Sequence, residues 1–80
     1  MPIRAFILVE TAVGRTVGVS DNLRGLPGVQ SVDAVTGPFD VIADVRVDDL
    51  SDVSDLVTGR FHAIDGVVRT VTCLALDSPR

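Results

Sequence analysis

Five consecutive residues, Thr36-Gly37-Pro38-Phe39-Asp40, concentrate the residue types that ligand chemistry uses. Gly37 has no side chain, so a ligand or a second backbone can come close. Pro38 fixes its own φ and pushes Gly37 toward extended angles, which stiffens the turn. Asp40 sets a carboxylate beside an aromatic wall at Phe39. A free amino acid needs an acceptor for its ammonium, donors for its carboxylate and an apolar slot for its side chain. Asp40 is the candidate acceptor, while backbone amides around Gly37 and the hydroxyls of Thr36, Thr70 and Thr72 are candidate donors. The same segment also reads as a hairpin turn with a solvated carboxylate, and the residues alone leave both readings open.

Other reactive side chains point to less. His62 falls late in a predicted helix with no second His or Cys at ligand spacing, so a metal site is not expected there and a surface His is. Cys73 has no catalytic partner in any motif and alternates within a predicted strand, which suggests a buried structural thiol. The pairs Asp48-Asp49 and Asp52-Asp55 suit a hard cation, but a helix start explains them more simply. No nucleophile–base motif and no Gly-rich phosphate loop is present. The chain is expected to need no cofactor and to catalyse no reaction.

Composition narrows the partners. Eleven acids against seven bases give a net charge of −4. Every base is Arg, and the arginines are scattered rather than gathered into the basic stripe that phosphate binding requires. Direct nucleic-acid binding is therefore not expected. The longest apolar run, Ala5 to Val9, is far too short to span a membrane. With one cysteine no intrachain disulfide can form. The amino-terminal residues lack a signal-peptide layout, so the expected compartment is the cytoplasm. Eighty residues make one domain, 1–80. A domain this small buries only about 60% of its unfolded surface and gains stability by associating.

The elements that must position these residues follow from periodicity. Ile3 to Val9 is apolar except at Arg4, the pattern of a strand covered on both faces. A helix is predicted within Gly14 to Gly25, its buried stripe being Thr16, Val19, Ser20, Leu23 and Leu26. Leu26-Pro27-Gly28 stops it, and Val29 to Thr36 is a second strand. After the Gly37-Pro38 turn signal, Phe39 to Val47 alternates, with Phe39, Val41, Ala43, Val45 and Val47 on one side. Asp48-Asp49 opens a second helix whose stripe is Leu50, Val53, Val57, Phe61 and Ile64. Asp65-Gly66 ends that helix, and Val67 to Leu76 is the last strand.

The βαββαβ order conceals a duplication. A shift of 38 positions lays Ile3, Ala5, Ile7 and Val9 on Val41, Ala43, Val45 and Val47. The same shift lays Val19 on Val57, Leu23 on Phe61, Leu26 on Ile64 and Gly28 on Gly66. Two βαβ halves with one core pattern build a ferredoxin-like α+β sandwich. Right-handed crossovers give an antiparallel four-stranded sheet of order 4-1-3-2, with both helices on one face. The other face then presents Phe6, Leu8 and Ile42, rimmed by charges of both signs. Large apolar side chains on a bare face mark an interface, here between two copies of the sheet, as in dimeric α+β barrels.

Several stretches resemble the ligand-binding and assembly (RAM) domain of the Lrp/AsnC transcriptional regulators. They are Ala5-Phe6-Ile7-Leu8-Val9, Leu26-Pro27-Gly28-Val29, Val35 to Val41, Ile64-Asp65-Gly66-Val67 and Arg69-Thr70-Val71-Thr72. The resemblance implies a homodimer formed through the sheets, dimers joined into a ring-like oligomer, and an amino-acid effector bound near dimer–dimer contacts. It places Thr36, Gly37, Pro38, Phe39 and Asp40 at the effector site, with Thr70 and Thr72 close by. Members of that family usually carry an amino-terminal helix-turn-helix domain, which is not expected here ahead of Met1-Pro2. A stand-alone sensor, or one that co-assembles with a full-length regulator, is the expectation. The main alternative is a small dimeric α+β barrel enzyme of the isomerase or cofactor-free monooxygenase type, since fold does not fix function. It would need Asp40 or His62 in a closed pocket.

Overall fold

A computed structural model describes residues 2–76. It contains strand β1 (Ile3–Thr11), helix α1 (Thr16–Arg24), β2 (Val29–Ala34), β3 (Val41–Val47), helix α2 (Leu50–Leu56) and β4 (Val67–Leu74). A π-helical turn, Val57–Phe61, continues α2. The four strands form one antiparallel sheet in the order β2-β3-β1-β4, which is the expected 4-1-3-2 arrangement read from the opposite edge.

Period-2 patterning decides which side of the sheet becomes core. Ala5, Ile7 and Val9 of β1 and Val41, Ala43 and Val45 of β3 are fully buried. They are cross-strand partners, Ala5 opposite Val45, Ile7 opposite Ala43 and Val9 opposite Val41. Val19 and Leu23 of α1 pack against them, as do Val53, Leu56 and Phe61 of the second helical segment. Burying a side chain as large as Phe61 contributes about 1.5–3 kcal/mol.

The duplication extends to the backbone. The amides of Leu26 and Val29 donate to the carbonyls of Leu23 and Leu26, and those of Ile64 and Val67 donate to Phe61 and Ile64. Gly28 and Gly66 close the two matching turns at φ +88° and +104°, a region L side chains rarely adopt.

The elements depart from the periodicity in places. The second strand stops at Ala34 and the third starts at Val41, because the Val35 amide bonds the Asp40 carbonyl at 2.8 Å and closes the hairpin there. Phe39 consequently leaves the inward row to which alternation assigned it. Leu50, expected in the buried stripe of the second helix, is 57% exposed, and Leu56 is buried instead. The π-helical turn is the reason: its wider winding lets Leu56 and Phe61 share one face. Asp49 does precede α2, its amide donating to Asp52 Oδ2 at 3.1 Å. The last strand ends at Leu74 rather than Leu76.

Candidate functional site

The loop from Thr36 to Asp40 is tied to the rest of the sheet at its last residue. The Asp40 amide donates to the Val9 carbonyl at 2.9 Å. Its carboxylate Oδ2 accepts from the Thr11 amide at 2.8 Å and from the Thr11 hydroxyl at 3.2 Å. The Thr11 hydroxyl also meets that of Thr16 at 2.8 Å, which joins the loop to the start of α1. Asp40 therefore serves first as a clamp within the fold. Thr36, Gly37 and Pro38 stand exposed beyond that clamp. Gly37 has φ +128° and open space where a Cβ would lie, so its backbone conformation, not crowding, calls for glycine.

Phe39 turns to a pair of charges. The Arg69 guanidinium carbon lies 5.0 Å from the centre of the Phe39 ring. Arg69 Nε donates to Glu10 Oε1 at 3.2 Å. Glu10 and Arg69 are direct cross-strand partners on the face away from the helices. A register shift in the ladder falls at Glu10/Thr11. Neither charged residue stood out in the sequence, because only the β1–β4 register brings them together.

The two threonines of β4 occupy the other side. Thr70 is opposite Val9 and Thr72 opposite Ile7, both of which face the helices. Thr70 Oγ1 lies 2.9 Å from His62 Nε2. Thr72 lines an open groove of about 400 Å³ with Leu50, Val53, Val57, Thr58 and Leu74. The expected site residues thus divide: the Phe39 ring lies by Arg69 on the bare side, and Thr70 and Thr72 lie on the helix side of the same strand. Asp40 and Thr70 both adjoin Val9, so the two groups share one end of the sheet.

The bare face holds Phe6, Leu8 and Ile42, each half-buried in the single chain. Arg4 stacks on Phe6 at 4.8 Å and bonds Asp44 through Nη2 at 2.8 Å. That hydrogen bond, with the charge of Asp44, raises the Arg4 pKa above its ordinary value. Val71, opposite Leu8, extends the apolar patch. Cys73, expected to be buried, is exposed opposite Phe6 on this same face. Its exposure follows from topology, since it lies on the face that no helix covers and β4 is an edge strand with a neighbour on one side only. Of the arginines, Arg4, Arg15, Arg24 and Arg69 are each paired with a carboxylate, Arg15 with Asp65, so their charges are locally offset. Among the described residues no group of three His, Cys, Asp or Glu could hold a metal ion, and no helix is long and apolar enough to cross a membrane.

Residues 4–80 match the Lrp/AsnC ligand binding domain. The chain belongs to that family. The solved chain TTHA0845 from Thermus thermophilus is similar along its whole length. It is 38% identical with a TM-score of 0.91, and the match covers 98% of this chain and 99% of that one. An HTH-type transcriptional regulator of Pyrococcus abyssi, PYRAB16920, is 30% identical over 60 residues, 75% of this chain and 40% of the regulator. The match therefore takes in well under half of that relative's length. The transcriptional regulator NMB0573 of Neisseria meningitidis, solved as a complex with L-Met, shares the fold. Its TM-score is 0.86 at 22% identity, over 98% of this chain and 52% of that one.

Proposed function

We propose that this domain is the effector-binding and assembly module of an amino-acid-responsive regulatory system, working in the cytoplasm and catalysing no reaction itself. The observation that carries this reading is the family match across residues 4–80, in a family of transcriptional regulators. The neisserial relative binds L-Met, and by analogy the effector here is a free amino acid. It sits at the exposed rim formed by Thr36, Gly37 and Pro38, beside Phe39, with Asp40, Thr70 and Thr72 gathered at the same end of the sheet. Two copies pair through Phe6, Leu8 and Ile42, and dimers close into a ring. Because the surface is acidic, the assembly reaches DNA only through a full-length regulator of the same family, with which it co-assembles.

The enzyme alternative would use Asp40 or His62 in a closed pocket. Against it, the Asp40 carboxylate is held by Thr11, and His62 is exposed against Thr70. Ligand that binds only the folded form stabilises it by about 1.4 kcal/mol at tenfold excess over Kd. For a domain of this size that is a rise in Tm of roughly 5–10 °C. Thermal melts against each of the twenty L-amino acids at millimolar concentration should show such a rise for one or a few. No rise for any of them, in a correctly assembled sample, would refute the sensing role.

A further inference from the structure

We propose that Glu10 and Arg69 form the receptor for the two charged groups of the amino acid, Arg69 taking the α-carboxylate and Glu10 the α-ammonium. This inference rests on the sensing role proposed above and changes which residue accepts the ammonium. Asp40 is the acceptor suggested by sequence, but it holds Thr11 through Oδ2 at 2.8 and 3.2 Å and, among the described residues, has no arginine paired with it to take the carboxylate. Glu10 is differently placed. One of its oxygens, Oε1, accepts from Arg69 Nε at 3.2 Å, which leaves Oε2 as an acceptor on a side chain 40% exposed.

Arg69 is set up in a complementary way. Its Nε is engaged by Glu10, and its guanidinium plane is backed by the Phe39 ring at 5.0 Å. Those contacts leave the terminal nitrogens without a partner among the described residues, and the side chain is 58% exposed in the single chain. A guanidinium with two terminal N–H groups in a fixed fork matches a carboxylate bidentately. Fixing it beforehand by stacking and by one ion pair lowers the ordering cost of binding. The Glu10–Arg69 pair is itself solvent-exposed, so the protein gains little from it as a structural bond. Opposite charges held side by side are what a zwitterion presents in mirror order.

Two further features belong to the same place. The register shift of β1 against β4 falls at Glu10/Thr11, and such irregularities re-aim side chains at functional edges. Phe39 connects the pair to the exposed Thr36–Pro38 rim and supplies an apolar wall for the ligand side chain.

The test is calorimetric titration of wild-type, Glu10→Gln, Arg69→Gln and Arg69→Lys protein. The probes are the twenty L-amino acids, then the tightest binder as its α-carboxamide and as its N-acetyl derivative. Arg69→Gln should weaken the free amino acid by about tenfold or more, the usual loss for a charge-assisted hydrogen bond. It should also abolish the preference of wild-type for the acid over the carboxamide. Arg69→Lys should restore only part of the affinity, since a point charge lacks the fork. Glu10→Gln should erase the preference for the free amine over the N-acetyl form. If both Gln variants bind the free amino acid within threefold of wild-type, the receptor assignment is wrong while sensing stands. An equal loss for all three probe forms also overturns the assignment. If wild-type binds none of the twenty, both proposals fall.

Discussion

The carboxylate of Asp40 has the chemistry to hold an ammonium, yet the fold uses its Oδ2 to fix Thr11. The glycines of this chain show the same distinction between residue type and residue role. Gly66 sits at φ +104°, and a Cβ there would lie 2.9 Å from Arg15 Cβ and 3.0 Å from Val19 Cγ2. Gly37 has φ +128° but nothing near its Cβ position. Gly66→Ala therefore adds a clash to the backbone strain and should cost about 2 kcal/mol or more. Gly37→Ala adds strain alone and should cost about 1 kcal/mol. Urea denaturation of the two variants checks the order, and equal losses would mean that the turn at Gly66 can shift to relieve its contact.

At the scale of elements, the inward rows of β1 and of β3 from Val41 on behaved as their sequences predict, while Phe39 and α2 did not. Strict alternation puts Ala5, Ile7, Val9, Val41, Ala43 and Val45 in the core whatever the neighbouring loops do, because each step along a strand reverses the side. A helical stripe is less constrained, since a single wider turn rotates everything before it relative to everything after. The π-helical turn at Val57–Phe61 has that effect, and it brings Leu56 inward while Leu50 stays out. Leu56→Ala should cost about 2–4 kcal/mol, within the range for buried Leu truncation. Leu50→Ala should cost less than about 1 kcal/mol, with both read by urea denaturation. A domain of this size has roughly 4–12 kcal/mol in total, so the first change is a large fraction of the whole.

For the whole molecule, one face of a single sheet is covered by helices and the other is not. Phe6, Leu8, Ile42 and Val71 stay partly exposed there, and Arg4 stacked on Phe6 covers only part of the patch. A second copy docked on this face counts each residue twice, because a two-fold interface uses the same patch on both partners. At about 1.5–3 kcal/mol per buried large side chain, Leu8→Asp should raise the dimer dissociation constant at least a hundredfold. Sedimentation equilibrium measures it. A wild-type protein that remains monomeric at high concentration would remove the basis for this interface.

How much of this was legible beforehand depends on how local each property is. The strands, the helix stops at Gly28 and Gly66, the duplicated halves and the sheet order follow from periodicity and turn chemistry read within one segment at a time. So does the informative segment Thr36 to Asp40. Partnerships across the sheet are not local. That Glu10 meets Arg69, that Asp40 Oδ2 holds Thr11, and that Thr70 and Phe39 lie on opposite sides of β4 all depend on the register of strands far apart in sequence. Cys73 is exposed because its strand lies at the edge and its side chain is on the uncovered face, properties of sheet order and register rather than of the residues beside it. Sequence by itself determined the architecture, since burial patterns are written residue by residue. Only tertiary structure decided which charges and hydroxyls are free to meet a ligand, since a polar group is free or spent according to what the fold sets next to it.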